Sequence, residues 1–181
     1  GRVDSPPTIL GELVLFGSAD GHVYALAASD GALAWRFRAA PTDQRLTSFE
    51  QLESVWPVHG SVLVQEGVVY CVAGRSMFLD GGLRLLRLDP ETGRKLSETV
   101  LDDRDPETGD NLQVRLQILN MPVGLNDVLS SDGKHVYMKS QVFDLEGNRK
   151  DLGPHSGDSA TQGSVQRGET VHLFCPSSFL D

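Results

Sequence analysis

Leu13–Phe37 reads LVLFGSADGHVYALAASDGALAWRF, and its closing stretch, ALAASDGALAW (Ala25–Trp35), decides the fold. Leu13 and Leu15, then Val23 and Ala25, alternate with their neighbours at period two, the spacing of a half-buried strand. Gly17–Gly21 supplies the turn between them, and Ser29-Asp30-Gly31 supplies the next, where glycine takes a positive φ without steric cost. A further strand, Ala32–Arg38, follows. The unit returns in VVYCVAGRSMFLDGGLRLLRLDPETGRKLSETVL (Val68–Leu101), with Gly93 standing 62 positions after Gly31. Equal strand–turn–strand units repeated at such a period point to an array of sheets, the blades of a β-propeller.

Working outward, a third unit runs through Ser131-Asp132-Gly133, His135–Lys139, Val142–Leu145 and the turn Glu146-Gly147. The reading is therefore all-β: a partial β-propeller of about three blades of four-stranded antiparallel sheet, with one short inserted helix. The units are expected at residues 5–38, 59–101 and 112–152, with a partial unit at 164–181. Strands are expected at His59–Gln65, Leu112–Leu119 and Thr170–Phe174, and a polar loop at Gly153–Gly168. The helix is expected over Asp43–Val55, where Leu46, Phe49 and Leu52 recur every third residue and Thr47-Ser48-Phe49-Glu50 fits a capping box. A closed propeller needs at least four blades of roughly 40–45 residues each, so the 181-residue chain reads as a segment of a longer protein.

Composition narrows the partners. The net charge is −9 with no cluster of Lys or Arg, which argues against nucleic acid. No apolar run approaches the roughly 18 residues of a membrane span. Cys71 and Cys175 both lie in apolar, strand-like runs and read as small buried side chains, a bridge between them requiring neighbouring strands.

The Ala25–Trp35 stretch resembles the repeat of quinoprotein-type propellers, which include the pyrroloquinoline-quinone dehydrogenases and an outer-membrane assembly lipoprotein of the same fold. That family's docking motif runs Ala-x-Asp-x-x-Thr-Gly, with Trp four residues later. Here Ala25, Gly31 and Trp35 match, while Ala27 and Asp30 hold the Asp and Thr positions. In the second unit Asp89, Thr92 and Gly93 match, while Arg87 and Ser97 stand at the Ala and Trp positions. Trp35 is accordingly a blade-to-blade joint offering a large flat apolar surface. The joint after the second blade, lacking Trp at Ser97, is expected to be held differently, by the long insertions.

Local chemistry is sparse. His22, His59, His135, His155 and His172 form no HxH, HxxxH or HExxH pattern, so no locally assembled zinc site is indicated. His22 and His135 read as equivalent turn-to-strand positions with a structural role. The acidic run Asp102, Asp103, Asp105, Glu107 and Asp110 has oxygen ligands for calcium but not the EF-hand spacing, and Pro106 restricts it, so it reads as a solvated loop. His155-Ser156-Gly157-Asp158-Ser159 holds the residue types of a hydrolase triad, yet no GxSxG elbow accompanies it. Neither GxGxxG nor the phosphate-binding GxxxxGK[ST] occurs.

No catalytic or metal-binding residue is therefore assigned, and no cofactor. The leading expectation is a non-catalytic binding or scaffold module that meets a protein partner through the insertions Asp43–Val55 and Gly74–Gly82, since loops on a rigid scaffold carry function. The resemblance implies a location outside the cytoplasm of a bacterium. It also implies the alternative, part of a pyrroloquinoline-quinone-dependent dehydrogenase that uses calcium to oxidise alcohols or sugars. Family enzymes hold the quinone over an adjacent-cysteine disulfide, and no adjacent cysteines occur here.

Overall fold

The computed structural model describes residues 1–48, 50–104, 108–110, 126–138 and 141–150. Three consecutive antiparallel sheets and one hairpin make up this part of the chain. The first sheet is β1 (Thr8–Leu10), β2 (Leu13–Gly17), β3 (His22–Ala27) and β4 (Leu33–Arg38), paired in chain order. The hairpin is β5 (Arg45–Ser48) with β6 (Gln51–Ser54). β7 (Leu63–Gln65), β8 (Val68–Ala73), β9 (Leu83–Leu88) and β10 (Lys95–Leu101) form the second sheet, again in chain order. β11 (Leu129–Ser131), β12 (His135–Met138) and β13 (Gln141–Asp144) form the third. After β13 the chain turns back, so that Arg149 bridges Phe143 and the Lys150 amide donates to the Val142 carbonyl at 2.8 Å. The architecture is a partial β-propeller, all-β among the described residues. The expected strands Leu112–Leu119 and Thr170–Phe174, the polar loop Gly153–Gly168 and the partial unit at 164–181 lie outside them.

The expected helix over residues 43–55 is corrected: this stretch is the β5–β6 hairpin, with Leu46 opposite Glu53 and Thr47 opposite Leu52. Glu50 takes φ +63° in its turn, a left-handed conformation incompatible with helix continuation. A strict three-residue spacing also drifts around a helix instead of holding one face. Tertiary contact decided the outcome, since the Ser54 amide donates to the Ala19 carbonyl, in the turn between β2 and β3, at 2.8 Å. The expected strand His59–Gln65 is likewise shorter, with pairing confined to Leu63–Gln65.

Two apolar layers separate the three sheets. Leu15, Val23, Ala25 and Trp35 of the first sheet pack against Val69, Cys71, Leu86 and Leu88 of the second. Tyr70, Val72, Leu85 and Leu101 turn the other way, onto Val136, Met138 and Phe143 of the third. Side chains alternate across a strand, so the middle sheet buries both faces, which explains the near-continuous apolar run VVYCVA of β8. Each fully buried aliphatic side chain in these layers contributes on the order of 1.5–3 kcal/mol before entropy is subtracted.

The tight turns lock neighbouring blades together. The Trp35 indole donates from Nε1 to the Pro90 carbonyl at 2.8 Å and lies over Gly93 (φ +68°), where a Cβ would come within 2.6 Å of the ring. Any side chain there would lift the indole off its seat. The next joint inverts this arrangement. Ala25 pairs across the sheet with Trp35, and at the equivalent place Arg87 pairs with Ser97. The large residue has moved from the fourth strand to the third, and the small one the other way. Arg87 Nη1 donates to the Glu146 carbonyl at 3.0 Å, Thr99 Oγ1 to the Gly147 carbonyl at 2.7 Å, and the Tyr70 hydroxyl to the Leu145 carbonyl at 2.6 Å. The guanidinium also lies 5.8 Å from the Tyr70 ring centroid, within cation–π range. The joint is thus held differently, as expected, by strand residues of the second blade and also through the 74–82 insertion, whose Gly74 carbonyl accepts from the Asn126 side-chain amide at 3.0 Å. Both outer strands share a bulge at the same place, with Ala34 and Leu96 left out of the pairing just before Trp35 and Ser97.

Candidate functional site

Strand directions sort the connections onto two ends. Among the described residues, one end carries only short turns: Gly11-Glu12, Ala28–Gly31, Glu66-Gly67, Asp89–Gly93, Asp132–Lys134 and Leu145–Gly147. At the other lie the chain's first residues, the 39–62 connector with its hairpin, the 74–82 loop, and residues 102–104 and 126–128. This second end is the candidate site, because a rigid sheet array there supports every long excursion of the described chain.

The 74–82 loop is closed and anchored. Gly74 and Gly82 take positive φ at its base, and Asp80 does so near its tip at φ +55°. Trp56 is buried beneath it, donating from Nε1 to the Asp80 carbonyl at 2.9 Å, and Arg75 Nη2 reaches the Asp80 carboxylate at 2.8 Å. The Gly74 amide donates to the Pro57 carbonyl at 3.0 Å, tying the loop to the connector. Asn126 completes the knot, its amide nitrogen donating to the carbonyls of Val72 and Gly74 at 3.0 Å each. Held this way, the loop leaves Phe78 41% and Leu79 51% exposed, while Leu52 on the hairpin is 61% exposed. Large apolar side chains therefore stand exposed on anchored excursions at this end.

Beside the loop, the N-terminal segment, hairpin and connector meet in a charged cluster. Arg2 Nε and His59 Nδ1 each lie 2.6 Å from the Asp4 carboxylate, and Arg2 Nη1 lies 2.9 Å from the buried Glu53 carboxylate. Burial pushes the Asp4 carboxyl up, but hydrogen bonds from Arg2 and His59 outweigh it and hold the group below the usual carboxylate range. Asp20, on the adjacent turn, is also held low: burial is opposed by bonds from the Tyr24 hydroxyl at 2.7 Å and from Ser18.

The sequence-derived candidates divide as follows. His59 joins the cluster. His22 and His135 are not equivalent: His22 opens the third strand of its sheet and His135 the second of its own, because the Asp132-Gly133 turn lies at the opposite end from Asp20-Gly21. Both nevertheless sit in like Asp–His–Tyr groupings, with Tyr24 donating to Asp20 and Tyr137 to Asp132 at 2.7 Å. Cys71 is a free, fully buried thiol, and desolvation pushes it up to about 12. Within the acidic run, Asp102 accepts the Arg104 amide at 3.0 Å. Asp105, Glu107, His155, Ser156, Gly157, Asp158, Ser159, His172 and Cys175 lie outside the described residues. Among the described residues no three His, Cys, Asp or Glu side chains are grouped to hold a metal ion.

Reading by motif missed Arg2, Asp4, Glu53, Trp56 and Asn126. Trp56 alone carried a signal, as the chain's second tryptophan placed directly before Pro57. The others gain meaning only from neighbours 50 or more residues away.

The chain's relatives bear on family and fold. The family model described as "Outer membrane protein assembly factor BamB" matches residues 1–172. Among solved structures the chain is similar to quinohemoprotein alcohol dehydrogenase from Comamonas testosteroni, 16% identical with a TM-score of 0.55, over 82% of this chain and 27% of that one. It is similar also to the quinohemoprotein alcohol dehydrogenase ADHIIG from Pseudomonas putida HK5, 18% identical with a TM-score of 0.55, over 77% of this chain and 21% of that one. BamB from Moraxella catarrhalis is 17% identical over 83% of this chain and 48% of its own, with a TM-score of 0.32. The chain thus spans about a quarter or less of the two dehydrogenases and under half of that BamB. At these identities the dehydrogenases show a shared fold and nothing of shared chemistry. No curated protein matches the chain.

Proposed function

This chain belongs to the family of outer membrane protein assembly factor BamB, and from that premise we propose that it is part of a non-catalytic scaffold that binds a protein partner outside the cytoplasm. The observation that carries the reading is the exposure of Leu52, Phe78 and Leu79 on anchored excursions at one end of the sheet array. Catalysis needs pre-positioned polar or metal groups around a reacting centre, whereas a partner needs rigid apolar anchors with a polar surround. The loop-bearing end supplies the second.

The fold shared with two quinohemoprotein alcohol dehydrogenases gives the competing reading, part of a quinone-dependent dehydrogenase. Nothing further among the described residues supports that reading. Cys71 is sealed between the first two sheets with no neighbouring cysteine in sequence, and the described carboxylates and histidines form no metal-holding group.

Two measurements test this on the full-length protein. Photo-crosslinking residues placed at Phe78 and Leu52 should trap one defined partner, and Leu79→Asp should reduce its yield at least about tenfold while leaving the fold intact. Crosslinking no stronger than from the short-turn end, for example from Glu66, would refute the assignment of surface. Added pyrroloquinoline quinone and calcium should leave no bound chromophore, and stoichiometric binding with dye reduction by an alcohol would establish the dehydrogenase instead.

A further inference from the structure

The chain's two tryptophans serve opposite ends of the first two sheets. Trp35 bonds the Pro90 carbonyl at the short-turn end at 2.8 Å, and Trp56 bonds the Asp80 carbonyl at the loop-bearing end at 2.9 Å. Trp56 also works through its backbone. Its amide donates to Ser54 Oγ at 3.1 Å, and Ser54 is the last residue of β6, paired with Arg45 of β5. We propose that Trp56 is the positioning residue of the partner surface, fixing the 74–82 loop to the β5–β6 hairpin so that Leu52 and Leu79 engage one partner together.

The hairpin end of this link is firm. Ser54 is buried, and its amide donates to the Ala19 carbonyl at 2.8 Å. Its Oγ sits so close over Gly21 that a Cβ there would lie 2.7 Å away. The Trp56 ring is buried in the apolar layer between the first two sheets.

At the loop end, Asp80, Gly81 and Gly82 take φ of +55°, +77° and +90°. A non-glycine residue keeps such a conformation where its surroundings hold it. Asp80 is held at two points, its carbonyl by Trp56 Nε1 and its carboxylate by Arg75 Nη2 at 2.8 Å. Arg75 belongs to the loop itself, so of these two bonds it is the indole's that ties the tip to another segment. The base has separate ties, from the Gly74 amide to the Pro57 carbonyl and from the Asn126 amide nitrogen to the Gly74 carbonyl, each at 3.0 Å.

Distance permits joint engagement. Leu52 stands four residues before Trp56, at most about 14 Å of extended chain. Leu79 adjoins Asp80, which the indole bonds. With one indole between them, the two exposed leucines fall within a standard interface, about 800 Å² per partner or roughly 30 Å across. A tip already fixed to the hairpin also has less freedom to lose when a partner binds. Joint engagement rests on the function proposed above, while attachment of the loop through Trp56 does not.

Hydrogen exchange and photo-crosslinking on the full-length protein test both parts. Trp56→Phe keeps an aromatic ring in the layer and removes the indole N–H. Met77 is itself buried, so the loop should loosen and not unfold. The Leu79 and Gly82 amides, both bonded within the loop, should lose about five- to tenfold of their protection. The Gly74 amide at the base and the β2–β3 amides should keep theirs. A crosslinker at Phe78 should trap the partner about tenfold less in Trp56→Phe, and about tenfold less in Leu52→Asp, although Leu52 lies on the other excursion. Unchanged loop protection in Trp56→Phe, protection lost equally throughout the sheets, or Phe78 crosslinking indifferent to Leu52→Asp would each overturn the proposal. Should Trp56→Phe not fold, the wild-type indole proton must show the same protection as the Leu79 and Gly82 amides. An indole proton that exchanges freely over a closed loop overturns the proposal equally. A loop that loosens as expected on a protein that traps no partner sinks the functional reading, and joint engagement with it. Capture that ignores Trp56→Phe and Leu52→Asp sinks only the positioning role.

Discussion

Replacing Gly93 by alanine, with Gly31→Ala as its control, isolates what the Trp35 joint contributes. Both glycines occupy the turn before the fourth strand, with nearly the same left-handed φ, +68° and +74°. Each alanine therefore carries the same backbone penalty, about 1–2 kcal/mol. At Gly31 nothing lies within 4 Å of the new methyl, so that penalty is the whole effect. At Gly93 the methyl would sit 2.6 Å from Trp35 Cε3 and 2.7 Å from Cδ2, about 1 Å inside ordinary carbon contact. The indole must rise by roughly that distance, at about 1–3 kcal/mol for overpacking. The bond from Nε1 to the Pro90 carbonyl then weakens or breaks, at about 1 kcal/mol. Gly93→Ala should thus exceed Gly31→Ala by about 2–4 kcal/mol, or roughly 4–16 °C in Tm for a domain of this size. Gly147→Ala is intermediate, since its methyl meets the flexible Arg87 side chain at 3.1 Å. Urea denaturation of the three variants gives the order directly. A difference under about 0.5 kcal/mol between Gly93→Ala and Gly31→Ala would refute the joint, as would a Gly93→Ala penalty that persists undiminished in a Trp35→Ala background.

Trp35→Ala should itself destabilise by about 3–5 kcal/mol, and Trp35→Phe by less, in the same denaturation assay. At the second joint, Arg87→Ala and Ser97→Trp should each destabilise, the first by losing its bond to the Glu146 carbonyl and the second by colliding with Arg87. Combined, they recreate the Ala25–Trp35 arrangement and should recover to within about 1 kcal/mol of wild type; additive losses would deny the equivalence of the two joints. The Tyr137 phenol is pushed up to about 12, by burial first and then by Asp132, so the tyrosinate absorbance step lost in Tyr137→Phe should lie well above the ordinary tyrosine range and move down in Asp132→Asn. Cys71, buried and pushed up to about 12, should react with a thiol reagent only as fast as the protein opens, and rapid labelling under native conditions would contradict the packing of the first two sheets.

What the sequence determined by itself was everything carried by local periodicity. β8, β9 and β10 fall at the residues their short apolar runs between turns imply, Gly31 and Gly93 mark turns before a fourth strand and Gly147 the turn after β13, because such runs and positive φ are properties of a few adjacent residues. Trp35 was legible as a joint for the same reason. Tertiary structure alone decided the rest. The 43–55 stretch carries an apparent helical spacing and a capping box, yet a bond from Ser54 to Ala19 and the pairing of Leu46 with Glu53 make it a hairpin. Arg87 reads as a broken motif until its partner across the sheet, Ser97, shows that size was exchanged and not lost. The Arg2–Asp4–Glu53–His59 cluster has no motif at all. Its members lie up to 57 positions apart, and only chain closure brings them within bonding distance, where burial makes each charge depend on the others.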